Sequence, residues 1–408
     1  MKITSAIVVA AFAACDQNQS GNIGATKLGD MSNAAERRSP LHELRAACGE
    51  GSATDAGAVI QRAPYLQQVT TSSAMIGWVT TAPAGEHVVV TTPRGEYVTT
   101  APAIVQRSAQ RSTGETQMWA TITGLEPDTV YCYALGAAAP LTERIGMRTA
   151  PRAESTKPVR FLAFGDSGGG GSDQYALRER MLDVPYDLII HTGDVAYDSG
   201  TIGEYEDNVF GVYAEMFSSL PFYPAAGNHD YKTLSGAPFR DVFALPGDSG
   251  EKWYSYDWGM VHFVALDTES DYATQAKWLD ADLAASKAPW KIVYLHRPPY
   301  SSGNHGSDTR LRGLLAPVLE KHDVQLVLAG HDHDYERMVP QNGVAYVVTG
   351  GGGRGTYDVG VSSFTAFSDE VIHFVQVEVR ENELLLHAID ANGVQFDSTV
   401  VPRGNARP

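Results

Sequence analysis

Five short apolar runs in this 408-residue chain end on side chains that ligate metals. FLAFGDSG delivers Asp166; LIIHTGDVAYD delivers Asp194 and Tyr197; FYPAAGNHD delivers Asn228 and His229. KIVYLHRPPY delivers His296, and VQLVLAGHDHDYER delivers His331 and His333. Carboxylates are hard oxygen donors, and imidazoles suit Zn, Mn or Fe. Together they have the chemistry of a site for two adjacent ions: a bridging carboxylate, flanking ligands on each side, and open positions for water and substrate. A lone Asp or His is more often a cap or a surface residue, but five runs ending alike are not explained that way. Gly165, Gly193, Gly227 and Gly330 each precede a ligand, where glycine permits a sharp turn off a strand end. His331 and His333 share a face of one extended segment or, after a turn, reach different ions.

The elements that must hold these ligands read as alternating strands and helices. Strand-like runs at 159–164, 188–192, 222–226, 292–295 and 325–329 are interleaved with helix-like stretches at 173–182, 205–218, 274–285 and 309–321. Ligands fed from the carboxyl ends of several such strands converge on one rim, where α/β folds place their sites. WYSYDWG followed by VHFVALDT reads as a hairpin, and the tail returns to strands in VAYVVTG, IHFVQVEV, ELLLHAID and QFDSTVV. The expected fold over residues 158–402 is therefore α/β: a layered β-sandwich flanked by helices, with antiparallel additions to its sheets.

Residues 61–151 change pattern to short β-type runs, SAMIGWVTT, HVVVTTP, MWATITGL and VYCYALG, and predict a small all-β sandwich with Trp78 as its inter-sheet filler. Residues 151–158 read as a linker. Residues 16–60 are rich in small and polar residues, which predicts a tether or partly ordered arm with one helix near 39–47. Residues 1–15 read as an export signal, with Lys2, an apolar stretch at 7–13 and then small residues. Cys15 follows Phe12-Ala13-Ala14, similar to a bacterial lipoprotein processing box; the alternative is an ordinary secretory signal. The expected location is periplasmic, on the cell surface or secreted, with membrane contact only through a lipid on Cys15.

Cys48 and Cys132 then remain as an even pair, which suits an oxidising compartment. A bridge between them would close a long loop and contribute about 4 kcal/mol in the chain-entropy model; the alternative is two buried thiols. The formal charge of -17 argues against a surface that holds nucleic acid. It also requires a local positive centre to draw in an anionic substrate. No stretch is apolar for long enough to span a bilayer.

GDSG, GDVAY, GNHD, VYLH and GHDH together resemble the five-block signature of the metallophosphoesterases, the calcineurin-like phosphoesterases. The Tyr closing GDVAY narrows the resemblance to the purple acid phosphatase branch, and LEPDTVY at 125–131 resembles the tyrosine corner of fibronectin type III domains. The resemblance implies that Asp166, Asp194, Tyr197 and His333 hold one ion. It gives the second ion to Asp194, Asn228, His296 and His331, with Asp194 bridging. A phenol ionises near pKa ~10, and a trivalent ion offsets that better than a divalent one. Tyr197 therefore suggests Fe(III), paired with Zn, Fe or Mn. Such a pair, less three anionic ligands and a hydroxide, leaves a net charge of about +1, attractive to phosphate.

The resemblance further implies attack by a metal-bound hydroxide, with His229 as leaving-group acid and His305 as a second substrate-side histidine. Asp230 is the candidate to orient His229. His191 is expected behind Asp194, the glycine runs after Asp166 and at 350–355 as tight loops near the site, and His262, His322, His373 and His387 as packing or surface residues. The activity expected is hydrolysis of small phosphomonoesters with an acidic optimum. The rivals are a phosphodiesterase or nucleotidase using the same site, and an adhesion or binding protein without turnover.

Overall fold

Strands in the first half of the chain form where β-branched and aromatic residues alternate with polar ones. In the computed structural model, which describes residues 26–27, 39–106, 114–247 and 249–404, they assemble into two four-stranded sheets. One runs Ile60–Gln67, Ser73–Thr80, Thr116–Thr123, Ile104–Gln106; the other runs Tyr97–Pro102, His87–Thr91, Val130–Gly136, Ile145–Arg148. Trp78 is fully buried and donates its indole N–H to Glu86 at 2.7 Å. The Tyr131 hydroxyl accepts from the Glu126 amide at 2.9 Å, which pins the turn that enters its strand.

The segment before this sandwich is more ordered than its composition suggests. Residues 39–59, expected within a tether, fold onto the sandwich instead. Ser39 caps the helix Pro40–Cys48 by accepting from the Leu41 amide, and Leu41, Leu44 and Cys48 are buried on one face. Cys48 is bridged to Cys132. The signal was the helical spacing of those three residues within a stretch otherwise rich in small residues. Thr26–Lys27 adds a short strand to the edge of a sheet in the second unit. The export segment, Lys2 and Cys15 lie outside the described residues.

The second unit is built on two seven-stranded sheets packed face to face. The first runs Thr26–Lys27, Val394–Pro402, Glu383–Asp390, His373–Val379, Val159–Phe164, Leu188–His191, Phe222–Pro224, the last three parallel. The second runs Tyr254–Trp258, Val261–Ala265, Trp290–Tyr294, Leu326–Ala329, Ala345–Thr349, Tyr335–Met338, Thr365–Asp369, with four central parallel strands. Phe161 meets Phe263 edge to face across the interior at 5.2 Å between centroids. This is the layered α/β arrangement with antiparallel additions that the sequence predicts.

Helices Ser172–Met181, Tyr272–Ala285 and Thr309–Lys321 match the periodic stretches. The expected helix at 205–218 begins earlier, at a Thr201–Glu204 capping box, and carries a π-turn over Glu206–Phe210 before Gly211–Phe217. Strands Tyr335–Met338 and Thr365–Asp369 were not anticipated, because their polar side chains obscure the alternation. The buried Glu336 carboxylate is satisfied by Ser302 and Thr365, and Tyr335 and Arg337 by Asp397. Among the described residues no helix is long and apolar enough to cross a membrane.

Candidate metal centre

The parallel strands Val159–Phe164, Leu188–His191 and Phe222–Pro224 of one sheet, and Trp290–Tyr294 and Leu326–Ala329 of the other, end at a common rim. The turn off each strand is tight, but the glycines do not all make it. Asp166, Asp194 and His331 themselves adopt left-handed backbone, with φ of 58°, 51° and 73°. Such conformations are disfavoured for non-glycine residues and concentrate at functional sites. Of the four preceding glycines only Gly193 has positive φ. The others supply room: a Cβ on Gly227 would lie 2.2 Å from Asp194 Oδ1, and one on Gly330 2.5 Å from Asp166 Oδ2.

The ligand candidates gather into two groups that share Asp194. In the first, the Tyr197 hydroxyl lies 2.9 Å from Asp166 Oδ1, 2.9 Å from Asp194 Oδ2 and 3.0 Å from His333 Nε2. In the second, His296 Nε2 lies 3.1 Å from Asn228 Oδ1, 3.2 Å from His331 Nδ1 and 3.4 Å from Asp194 Oδ1. Donors bound to one ion at about 2.0–2.2 Å must stand about 3 Å from one another, and both groups have that spacing. Asp166, Asp194 and His296 form a buried triad able to hold a metal ion.

Charge within the pocket is consistent with a cation. Burial, then the Asp166 and Asp194 carboxylates, push the Tyr197 phenol far above its usual range. Burial opposes a charge on His296, yet Asp194 and Asp166 outweigh it and hold its pKa at about 10. Burial would also raise Asp194, but His296 and then His229 hold it well below the carboxylate range. The buried anions thus recruit positive charge, which a metal supplies with the opposite effect on the phenol. Burial, His296 and Arg297 lower His331 to about 2, leaving the neutral imidazole that a metal requires. His333 turns Nε2 to Tyr197, while its Nδ1 is buried with no hydrogen-bond partner among the described residues.

Residues 159–335 match the calcineurin-like phosphoesterase family model, and residues 62–149 match the N-terminal domain of purple acid phosphatases. Between them the two matches span both folded units, which are similar to the calcineurin-like phosphoesterases of the purple acid phosphatase branch. Human acid phosphatase type 7 is 29% identical over 252 residues, covering 54% of this chain and 56% of its own. Probable inactive purple acid phosphatase 1 of Arabidopsis thaliana is 26% identical over 294 residues, covering 57% and 48%. The chain thus spans about half the length of the curated relatives it matches. The structure of a purple acid phosphatase from yellow lupin (Lupinus luteus) seeds aligns with TM-score 0.76 at 23% identity, over 83% of this chain and 74% of that one. At that identity the likeness bears on the fold.

Around the donor groups stands a ring of polar side chains. His229 is tethered through its backbone, whose amide donates to Asp194 Oδ1 at 2.7 Å, and its ring lies 4.3 Å from that of Tyr197. Its Nδ1 faces the Asp198 carbonyl at 2.7 Å and Lys232 Nζ at 2.9 Å. The lysine can donate only to an unprotonated Nδ1, so a proton there selects the carbonyl and leaves Nε2 toward Asp194, 3.9 Å from Oδ2. His305 stacks on His331 at 4.2 Å, so the structure brings it to the rim.

Asp230 departs from expectation. Its carboxylate does not orient the His229 ring. Oδ2 accepts from the Val195 and Gly227 amides at 3.1 and 2.8 Å, and Oδ1 from the Ala196 amide at 3.2 Å and the Tyr205 hydroxyl at 2.6 Å. A fully buried carboxylate beside four donors is held in the protein interior, where it ties two ligand-bearing loops together. His191 lies as expected behind Asp194: its Nδ1 accepts from the Gly193 amide at 3.2 Å, and burial followed by His296 lowers it to about 3.

Sequence reasoning passed over four residues of this ring. Arg297 donates to His331 Nε2 at 3.1 Å while paired with Glu269, and Tyr357 stacks on His333 at 4.1 Å. Arg354 lies over the Tyr197 ring and bonds Asp198, and Lys232 meets His229. Arg297 and Lys232 stand beside motif residues and were legible as nearby cations; Arg354 and Tyr357 arrive from the second glycine run, and only its expected place near the site pointed to them. Gly350 packs there, where a Cβ would lie 2.9 Å from Asp166 Oδ2.

Proposed function

We propose that this phosphoesterase hydrolyses phosphate monoesters at a dinuclear metal centre. The observation that carries the reading is Asp194, whose two oxygens face two separate donor groups. In this reading Asp166, Asp194, Tyr197 and His333 hold one ion, Fe(III), because a phenol is best ionised by a trivalent cation. Asp194, Asn228, His296 and His331 hold a divalent Zn, Fe or Mn. Bound there, such ions would supply Lewis acidity toward phosphoryl oxygens and toward water.

The chain's own residues do the rest. His229, oriented by the Asp198 carbonyl, presents Nε2–H to the leaving oxygen and donates its proton as the ester bond breaks. His305, stacked against His331, meets a phosphate oxygen. Left-handed backbone at Asp166, Asp194 and His331 fixes the donors before substrate arrives.

The Cys48–Cys132 bridge and the signal-like residues 1–15 support export into an oxidising compartment, with or without a lipid on Cys15. The turn-pinning Tyr131 contact supports a fibronectin type III-like first domain over residues 61–151. The test is hydrolysis of a p-nitrophenyl monoester against the corresponding diester, across pH, on metal-replete protein. Monoester preference at acid pH supports the phosphatase reading. Diester preference moves the function to a phosphodiesterase, and no turnover of either leaves a binding protein on a phosphoesterase fold.

A further inference from the structure

We propose that the N-terminal sandwich is a working part of the active site: its first strand, through Arg62–Glu206 and Tyr205–Asp230, positions the loops that carry Asp194, Asn228 and His229. The inference rests on reading those loops as the metal-bearing ones, and it assigns Arg62, Glu206 and Tyr205 as positioning residues.

Strand Ile60–Gln67 of the sandwich reaches the phosphoesterase unit with three buried polar side chains. Arg62, 3% exposed, pairs with Glu206 through both Nε, at 2.9 Å, and Nη2. Its Nη1 donates to the Tyr65 hydroxyl and to Gln117, each at 3.1 Å, and its guanidinium lies 3.8 Å from the Phe210 ring centroid. Tyr65 donates to the Val242 carbonyl at 2.5 Å. Gln67 donates to the Phe222 carbonyl at 2.8 Å and accepts from the Ala244 amide at 3.2 Å. Phe222 opens the strand that leads to Asn228 and His229.

A bidentate guanidinium–carboxylate pair has one geometry, and breaking this one strands the buried charge of Arg62 against a half-buried Glu206. Glu206 is therefore a fixed point, and it opens the π-turn Glu206–Phe210, a helical irregularity that recurs at functional sites. The residue immediately before it is Tyr205, fully buried, whose hydroxyl donates to Asp230 Oδ1 at 2.6 Å. The remaining bonds of Asp230 go to Val195 and Ala196, one and two residues after Asp194 on one loop, and to Gly227, the residue before Asn228 on the other. The path from sandwich to ligand loops is thus continuous: Arg62, Glu206, the Tyr205 backbone, its hydroxyl, Asp230, and three loop amides. A donor set must be held within about 0.5 Å to work, and this path fixes the loops from behind. The sandwich has the contacts of a buttress and not of a detachable binding module.

The experiment uses the full chain with Tyr205→Phe, Glu206→Gln and the charge-preserving Arg62→Lys. In metal-free protein, amide hydrogen exchange at Val195, Ala196 and Gly227 is expected to speed by about tenfold in the first two variants. Exchange at Phe263 and Val293 in the opposite sheet should stay at parental rates, and Arg62→Lys should fall between parent and Glu206→Gln. In metal-loaded protein, kcat for p-nitrophenyl phosphate should fall about tenfold while KM stays within about twofold. Parental exchange at the three amides in a folded Tyr205→Phe or Glu206→Gln protein overturns the inference, as does acceleration spread evenly over the whole unit. If Tyr205→Phe fails to fold, Glu206→Gln carries the test. The exchange measurement needs no turnover, so inactivity of the parent would remove the phosphatase reading alone.

Discussion

The Tyr197 hydroxyl donates to Asp194 Oδ2 at 2.9 Å, and the same phenol stands 2.9 Å from Asp166 Oδ1. Without a cation, burial and the two carboxylates hold the phenol protonated. A trivalent ion there would ionise it and create a charge-transfer transition. Protein purified in air is expected to show a visible absorption band that is absent in Tyr197→Phe. A colourless protein with full activity on divalent ions would refute the iron assignment.

Asp194 Oδ2 lies in one donor group and its Oδ1 in the other. Asp194→Asn keeps the shape but removes the charge and turns one of those positions into an amide donor. Metal analysis by mass spectrometry should find fewer than about one ion per chain, against about two in the parent. Asp280→Asn is the control, since Asp280 is a carboxylate whose partners are Lys321 and His322 and not the donor groups or their loops. An Asp194→Asn protein that retains both ions would show that the carboxylate is not shared.

His229 bonds the Asp198 carbonyl through Nδ1, and its Nε2 is the atom proposed to protonate the leaving group. His229→Ala is expected to keep its metal and to lose about 100-fold in kcat on esters of poorly acidic alcohols. On p-nitrophenyl phosphate, whose leaving group departs as a stable anion, the loss should be much smaller. Equal losses on both substrates would mean that His229 does not act as the acid.

The candidate donors were legible because each closes an apolar strand, and strand ends in a parallel sheet must meet at one rim. What the sequence could not carry was the work of residues whose partners are distant. Asp230 sits beside His229 in the chain, so local reading assigned it to that ring. Its four donors come from 195, 196, 205 and 227, and only the folded loops bring them to it. Arg62 lies at the start of the stretch read as sandwich, before its first strand run, and its partner Glu206 is 144 residues away. The helix near 39–47 was legible, but composition obscured that residues 39–59 dock on the sandwich. A helix with three buried positions and a disulfide needs few apolar residues to stay docked.

His262 shows how a histidine expected only to pack can govern stability. It lies in strand Val261–Ala265, with Nδ1 2.7 Å from Asp257 Oδ1 and Nε2 2.8 Å from Asp282 Oδ2, so both ring nitrogens need protons. Burial opposes that charge, but the hydrogen bonds to Asp257 and Asp282 outweigh it and raise the pKa to about 9. The folded value exceeds the ordinary histidine value of about 6.5. The imidazolium therefore contributes its full stability below about pH 6.5 and loses it as pH rises through about 9. Asp257 is exposed, so solvent screens its share and the contribution is roughly 2 kcal/mol. Urea denaturation of His262→Gln should show a loss of about that size at pH 6, and a much smaller one at pH 9.5. A loss equal at the two pH values would assign His262 to packing alone, because volume and shape do not titrate.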